Sequence, residues 1–198
     1  MDKNPKTIED LVAAKASEVN ELTLKCGEKI DIRRFHRFNC SDTSVIGSYN
    51  HNGKIGVLVQ LQTKAVANSE VEALAKDLSM HVAAADPKFL SGKDIDENFK
   101  NREAEIYAAQ LKEEGKPQNM IEKIVQGKLK KLEMEVCLLK QKFIKDPDTE
   151  IEKLVANVTA KVSSEVKIEK FIKITLGEGI EKKSDNLADE VAKITGKH

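Results

Sequence analysis

The stretch SVIGSYNHNGKIGVLVQLQ, residues 44–62, constrains the fold of this chain more than any other feature. Two apolar runs flank Asn52-Gly53, the dipeptide that most easily supplies the positive backbone torsions of a tight hairpin turn. Strands joined by so short a turn pair antiparallel, because a parallel pair needs a long crossover connection. The sequence therefore predicts two antiparallel strands, at residues 44–50 and 55–62.

Two further stretches are typical of strands with one face in water. In KIDIRRFHRF, residues 29–38, Ile30 and Ile32 alternate with charged neighbours. The stretch KIEKFIKITL, residues 167–176, is an apolar run studded with lysines. Together with the hairpin, these stretches predict one antiparallel sheet of three to four strands.

Helical periodicity marks both ends of the chain. Residues 7–26 begin with a capping box of Thr7 and Asp10 and stop at Gly27, which is suited to the left-handed end of a helix. A small helix is expected at residues 185–194. Three apolar residues share one face of it: Leu187, Val191 and Ile194.

Two more helices are expected beside the sheet. One begins at a capping box of Ser69 and Glu72 and ends before Asp86-Pro87, because the residue preceding a proline is disfavoured in a helix. Thr149 and Glu152 cap the other.

The middle of the chain is strongly charged and predicts a helical hairpin. Its first helix runs from Asp94, capped by Glu97, to residue 114; a stop at Gly115 and a restart at Pro117 lead into a second helix that ends at residue 136. Helices joined so closely must run antiparallel. The apolar seam consists of Ile95, Phe99, Ile106 and Leu111 on the first helix and Ile121, Val125, Leu132 and Val136 on the second.

These elements predict an α+β fold, in which helices cover one side of the antiparallel sheet. The expected core comprises residues 29–90 and 137–180. The helical hairpin, interpreted as a short coiled coil at residues 91–136, is inserted into that core. Residues 1–28 form a helix that precedes it, and residues 181–198 form a C-terminal helical module.

The charge balance restricts the classes of partner. The 33 acidic and 33 basic residues cancel, which argues against bulk electrostatic attraction to nucleic acid or to a membrane as the main source of affinity. No apolar run is long enough to span a bilayer, and the N-terminus lacks the apolar core of a signal peptide. We therefore expect a cytoplasmic protein with no direct nucleic-acid or membrane binding.

The reactive side chains predict a binding protein rather than an enzyme. Cys26, Cys40 and Cys137 are odd in number and have no CxxC spacing, so they support neither a disulfide framework nor a zinc site. The histidines share no metal-ligand spacing, and no nucleophile elbow, HExxH or phosphate-binding loop occurs. We expect no catalytic residues, no metal and no cofactor.

Four runs carry a resemblance to a known family: GSYNHNGKIGVLVQL, LSMHVAAADPKFL, GKPQNMIEKIVQGKLKK and EVCLLKQKFIKDP. Their order and spacing are similar to the C-terminal part of bacterial elongation factor Ts, the nucleotide exchange factor of the GTPase elongation factor Tu. The resemblance implies that the sheet and its helices are that family's core and that the charged hairpin is its coiled-coil protrusion. It also implies that residues 1–28 are what remains of the N-terminal half of the core.

The resemblance also shows what this sequence does not contain. The family normally begins with a small ubiquitin-associated-like module, followed by a Thr-Asp-Phe-Val motif whose phenylalanine wedges into the GTPase domain. No Asp-Phe dipeptide occurs here, since every phenylalanine follows Arg, Lys or Asn. The sequence is therefore expected to be a C-terminal fragment that keeps the docking half, which in the family contacts the third domain of the partner.

Matching this sequence to the family residue by residue gives the expected contacts with elongation factor Tu. The resemblance assigns to the partner surface Gly27, Lys29, Ile30, His51, Asn52, Phe143, Ile144, Lys145, Leu187 and Val191. Three of them have a purely structural alternative: Gly27 is needed at the helix end, Asn52 in the hairpin turn, and Phe143 fits a core. His51 is a stronger candidate, because a histidine at the tip of a turn has no core to satisfy.

His81 stands beside the apolar stripe of its helix, and three roles are open to it: core packing, metal binding or partner contact. We interpret it as a half-buried packing residue at the border of the partner surface, so its replacement by alanine is expected to cost stability first.

Two other functions stay open at this point. The chain could be a structural module that forms a homodimer through the seam of its helical hairpin. RNA binding through the lysines of GKLKKLEMEV is weaker, because acidic neighbours cancel their charge.

Overall fold

The computed structural model describes residues 5–66 and 68–179 and divides the chain into two compact units, residues 1–41 and 42–198. The first unit contains the helix α1 (Ile8–Cys26). The capping box predicted for it is confirmed, since the Asp10 amide donates to Thr7 Oγ1 and the Thr7 amide donates to the Asp10 carboxylate. Gly27 ends α1 in the left-handed conformation, with φ of 70°.

The strand predicted at residues 29–38 is wrong, because the whole stretch has irregular backbone. Its half-buried side chains show why: after Ile30 and Ile32 they fall at Phe35 and Phe38, three residues apart. A strand presents every second residue to the same face, so this spacing cannot bury one face of a sheet.

The second unit is built on a three-stranded antiparallel sheet. Its strands are β1 (Ser44–His51), β2 (Ile55–Thr63) and β5 (Val166–Thr175), in the order β1-β2-β5. The predicted turn between β1 and β2 is confirmed, because both Asn52 and Gly53 have positive φ, at 52° and 69°. The Lys54 amide closes the turn by donating to the His51 carbonyl at 2.9 Å.

Two helices, α2 (Ser69–Ala85) and α5 (Ile151–Val162), supply most of the other side of the core. Val57, Val59 and Leu61 alternate along β2 and are almost fully buried, as expected for one face of a strand. The helical residues that meet them include Val71, Leu74, Leu78 and Val82 of α2 and Ile151, Val155 and Val158 of α5.

A glycine in β1 fixes how closely α2 approaches the sheet. A Cβ placed on Gly47 would lie 2.1 Å from the carbonyl oxygen of Ala75 and 2.8 Å from Ser79 Oγ. The Ser79 hydroxyl itself donates to that same carbonyl at 2.8 Å. No other residue type fits at position 47 without moving the helix.

A lysine from β5 binds the C-terminal end of α2. Lys173 Nζ donates to the Ala83 carbonyl at 3.1 Å and pairs with the Asp86 carboxylate at 2.9 Å. Partial burial alone raises the pKa of Asp86, but hydrogen bonds from Lys88 and Lys173 outweigh this effect and hold that pKa below its ordinary value. Cations at the C-terminus of a helix stabilise it through its dipole.

The helical hairpin consists of α3 (Glu97–Glu113) and α4 (Gln118–Val136). Leu111 packs against Ile121 and Val125 near the tip, and Phe99 lies with Leu129 and Leu132 near the base. The helices therefore run antiparallel, as predicted. Ile106 was expected in the seam but is 42% exposed; the half-buried Tyr107 occupies the seam instead.

Both ends of the hairpin enter the core side by side, where residues 88–90 meet residues 136–139. The amides of Lys88 and Phe89 donate to the Val136 carbonyl, and the Leu138 amide donates to the Phe89 carbonyl. A 3₁₀ turn (Leu138–Lys140) and two short strands that the sequence did not predict, β3 (Lys142–Phe143) and β4 (Asp146–Glu150), then lead into α5.

The helix caps predicted for α2, α3 and α5 are all displaced. Asn68 rather than Ser69 caps α2, and Asp96 rather than Asp94 caps α3. Asp94 instead accepts hydrogen bonds from the amide and hydroxyl of Ser91. Several competent caps lie within a few residues of one another, so the path of the preceding turn decides which one is used.

For the start of α5, Thr149 donates to Asp146 rather than capping the helix, and Glu150 takes the N-cap position without a side-chain hydrogen bond. The small helix predicted at residues 185–194 lies outside the described residues.

We expect Gly47→Ala to lower the free energy of unfolding by about 2 kcal/mol or more, because the new methyl group must push α2 away from β1. Gly56→Ala, on β2, is the matched control, since no atom lies within 4 Å of its Cβ position. Urea denaturation of both variants measures the difference. Equal losses of stability would contradict the close approach.

Candidate partner-binding site

A groove lies where the end of β1, the C-terminal half of α2 and the loop between β3 and β4 meet. Its volume is about 370 Å³. The residues that line it are Tyr49, His51, Ile55, Met80, Ala83, Ala84, Ile144 and Lys145. We call this feature the 49/144 groove.

The strands supply one wall of the 49/144 groove. Tyr49 and His51 are two residues apart on β1, so both side chains emerge on the same face of the sheet. The Tyr49 hydroxyl lies 2.9 Å from His51 Nδ1, and the two ring centroids are 5.9 Å apart. Ile55, which pairs with His51 across the turn, completes this wall.

Helix α2 supplies the floor. Met80, Ala83 and Ala84 have the i, i+3, i+4 spacing of one helical face. The two alanines leave space that larger side chains would fill, and Met80 is a flexible apolar side chain that adapts to what it contacts. The floor is therefore apolar and open to a partner side chain.

The loop between β3 and β4 forms the other wall of the groove, and a buried histidine holds it in place. His81 is 0% exposed, and its Nε2 lies 2.9 Å from Gln141 Oε1. On the other side of the ring, the Ile144 amide donates to Nδ1 at 3.3 Å. Since Nδ1 is an acceptor, the network assigns the proton to Nε2, which donates to Gln141.

The amide of Gln141 extends this network to the backbone. Gln141 Nε2 donates to the Glu135 carbonyl at 2.5 Å and to the Ala85 carbonyl at 3.4 Å. It therefore connects the ends of α4 and α2. Burial lowers the pKa of His81, and the hydrogen bond with Gln141 opposes this shift only in part.

The loop that His81 holds presents two residues to the 49/144 groove. Ile144 is 42% exposed, whereas its neighbour Phe143 is only 6% exposed and packs 6.1 Å from the His81 ring. Lys145 Nζ pairs with Asp77 Oδ1 at 2.7 Å, which ties the loop to α2 a second time.

The structure brings together three of the residues predicted to contact a partner: His51, Ile144 and Lys145. Asn52 lies beside them in the exposed turn, and Phe143 lies beneath the loop in the core rather than in the groove.

The other predicted contacts fall in other parts of the chain. In the first unit, Gly27 ends α1, Lys29 pairs with Asp31 at 3.0 Å, and the Ile30 amide donates to Thr23 Oγ1 at 3.3 Å. Leu187 and Val191 lie outside the described residues.

Five lining residues were not predicted from the sequence: Tyr49, Ile55, Met80, Ala83 and Ala84. Tyr49 had a usable signal, because a residue two positions before His51 on a strand must share its face. The residues of α2 had none, since the groove depends on which strand the helix covers.

His81 is more deeply buried than the half-buried position expected for it.

The seam put forward for a homodimer is occupied within the chain itself, because Leu111, Ile121 and Val125 are buried between α3 and α4. This arrangement gives no support to self-association through those residues.

The described residues contain no group of three or more His, Cys, Asp or Glu side chains that could hold a metal ion. None of the helices in residues 5–66 and 68–179 combines the length and apolar character needed to cross a bilayer. The three cysteines are free, and burial together with nearby carboxylates raises the pKa of Cys137.

The chain is similar to known proteins over nearly all of its length. A family model described as Elongation factor TS matches residues 1–178. Elongation factor Ts from Clostridium perfringens (strain SM101 / Type A) is 43% identical over 204 residues, which covers 99% of this chain and 67% of that relative.

Two further relatives match most of the chain. Elongation factor Ts from Clostridioides difficile (strain 630) is 43% identical over 88% of this chain, and the protein of the same name from Syntrophotalea carbinolica is 38% identical over 91%. The chain spans 57% and 59% of their respective lengths.

We expect His81→Ala to lower the free energy of unfolding by about 2–4 kcal/mol, since it opens a cavity and leaves Gln141 Oε1 without its donor. The exposed His36→Ala serves as control and is expected to change stability by less than about 0.5 kcal/mol. Equal stability of the two variants would contradict a packing role for His81.

The same histidine gives the stability a defined pH dependence. Because the folded-state pKa of His81 is lowered, the unfolded chain binds more protons as the pH falls below the ordinary value of 6.5. This contribution to stability is complete above that pH and declines below it. Denaturation at a series of pH values is expected to show a smaller decline in His81→Ala than in the unmodified chain.

Proposed function

Because the chain belongs to the elongation factor Ts family, we propose that it binds elongation factor Tu through the 49/144 groove and acts in nucleotide exchange on that GTPase. The observation that carries this proposal is the convergence of His51, Ile144 and Lys145 on one groove. Residues separated by about ninety positions in the sequence meet there, and the resemblance to the family assigns all three to the partner surface.

The chemistry of the 49/144 groove suits a protein partner. Its floor is made of Met80 and two alanines, while His51 and Lys145 stand on its rim. Protein interfaces commonly have an apolar centre surrounded by polar groups that exclude water. Ile144, exposed but held by its backbone, is a suitable anchor residue because little side-chain entropy is lost when it is buried.

Exchange requires no covalent chemistry. A factor that binds the nucleotide-free GTPase more tightly than the loaded GTPase lowers the affinity for nucleotide by the same factor, through thermodynamic linkage. Docking surfaces and wedges perform this task, which is consistent with a binding groove lined by one histidine, one lysine, one tyrosine and apolar side chains.

We expect Ile144→Ala to weaken the affinity for elongation factor Tu roughly tenfold, as an anchor residue worth more than about 1 kcal/mol would. Met134→Ala is the matched control, because Met134 is a comparably exposed apolar residue on α4 that does not line the groove. Calorimetric titration gives both affinities. Equal affinities of the two variants would contradict the assignment of the groove.

We further expect a polypeptide of these 198 residues to bind elongation factor Tu but to accelerate GDP release only weakly. The family places a phenylalanine wedge of a Thr-Asp-Phe-Val motif in the GTPase domain, and this sequence contains no Asp-Phe dipeptide. A protein that binds the loaded and empty GTPase equally well shifts no equilibrium between them.

Stopped-flow release of a fluorescent GDP, with the chain titrated to saturation, measures this property. A relative that carries the wedge motif is the positive control. Release as fast as with that relative would show that docking alone is sufficient for exchange.

A further inference from the structure

Tyr49 stands beside His51 on the wall of the 49/144 groove, and neither family membership nor packing alone assigns it a role. Its side chain is half-buried, whereas His51 is exposed. The distance of 2.9 Å between the Tyr49 hydroxyl and His51 Nδ1 is that of a good hydrogen bond. The hydroxyl therefore acts on the one histidine that lines the groove.

The chemistry of the two groups gives this hydrogen bond a direction. A neutral imidazole has one nitrogen that donates and one that accepts, and the partner of one nitrogen decides the state of the other. A phenol donates more readily than it accepts, because its oxygen lone pair is delocalised into the ring. When Tyr49 donates to Nδ1, the proton of His51 resides on Nε2.

The second ring nitrogen is left for a partner. Within residues 5–66 and 68–179, the hydrogen bond to Tyr49 is the only one that the His51 ring makes. Exposed histidines rotate about two torsions and exchange between two tautomers, so an unrestrained ring loses that freedom when it binds.

We propose that Tyr49 is a positioning residue, which holds His51 with its Nε2–H free to donate to an acceptor oxygen on the partner, beside the apolar floor of the groove. The inference rests on the proposed function, since it assumes that the 49/144 groove receives elongation factor Tu. It adds the chemistry that the groove recognises: an apolar side chain with a carbonyl or carboxylate oxygen next to it.

A double-mutant cycle tests whether Tyr49 acts through His51. Tyr49→Phe keeps the ring in the groove wall and removes only the hydroxyl. We expect Tyr49→Phe to weaken binding of elongation factor Tu roughly three- to tenfold when His51 is present, and to have no further effect in the His51→Ala background. The same loss in both backgrounds, or no loss in either, would overturn the inference.

Tyr107→Phe is the matched control. Tyr107 is the only other tyrosine of the chain, it is half-buried in the hairpin, and its ring contacts Lys128 Nζ at 5.2 Å, which phenylalanine preserves. This variant is expected to bind with unchanged affinity. Melting temperatures of all variants show whether a loss of binding reflects a loss of folding.

A second measurement needs no partner. Nitrogen chemical shifts of the His51 ring in the free chain report which nitrogen carries the proton. We expect the Nε2–H tautomer in the unmodified chain and a mixture of tautomers in Tyr49→Phe. A proton found on Nδ1 in the unmodified chain would overturn the inference, whatever the affinities are.

The two measurements separate the failure of this inference from that of the proposed function. If His51→Ala and Ile144→Ala both bind as tightly as the unmodified chain, the groove is not the docking surface and both ideas fail. If those variants lose affinity but Tyr49→Phe does not, only the role of Tyr49 fails.

Discussion

The candidate site depends on the two hydrogen bonds of the buried His81 imidazole. The imidazole joins α2 to the loop that carries Ile144 and Lys145, with one nitrogen bonded to Gln141 and the other to the Ile144 amide. A ring with both nitrogens occupied can be buried without the cost of an unsatisfied polar group. Because the loop is held through its backbone, the Ile144 side chain remains available at the surface.

The position of α2 relative to the sheet is the second constraint. Gly47 permits the helix to approach β1 within the space of a missing side chain, and Lys173 fixes its C-terminal end. Because α2 lies so close to the sheet, Met80 and Ala83 line the same groove as Tyr49 and His51. The hairpin of α3 and α4 is inserted without disturbing this arrangement, since its two ends are hydrogen-bonded to each other.

A groove of this kind suits a protein that acts by binding. Its apolar side chains give it a shape, and one lysine and one oriented histidine give it polar groups. We propose that all of these features serve the recognition of another protein. The oriented histidine is a matter of pre-organisation: a donor whose rotamer and tautomer are already set loses less entropy when its acceptor arrives. Tyr49 supplies that order from the same strand, without a contribution from elsewhere in the fold.

The sequence by itself determined the elements whose causes are local. The Asn52-Gly53 turn, the capping box of Thr7 and the antiparallel hairpin all follow from residues within a few positions of one another, and each was predicted. The strand expected at residues 29–38 failed, because alternation of Ile30 and Ile32 does not supply a full strand face. Tertiary structure alone decided how deeply His81 is buried and which residues of α2 line the groove. Each of these depends on contacts between segments that are distant in sequence, and a local pattern of residues does not determine such contacts.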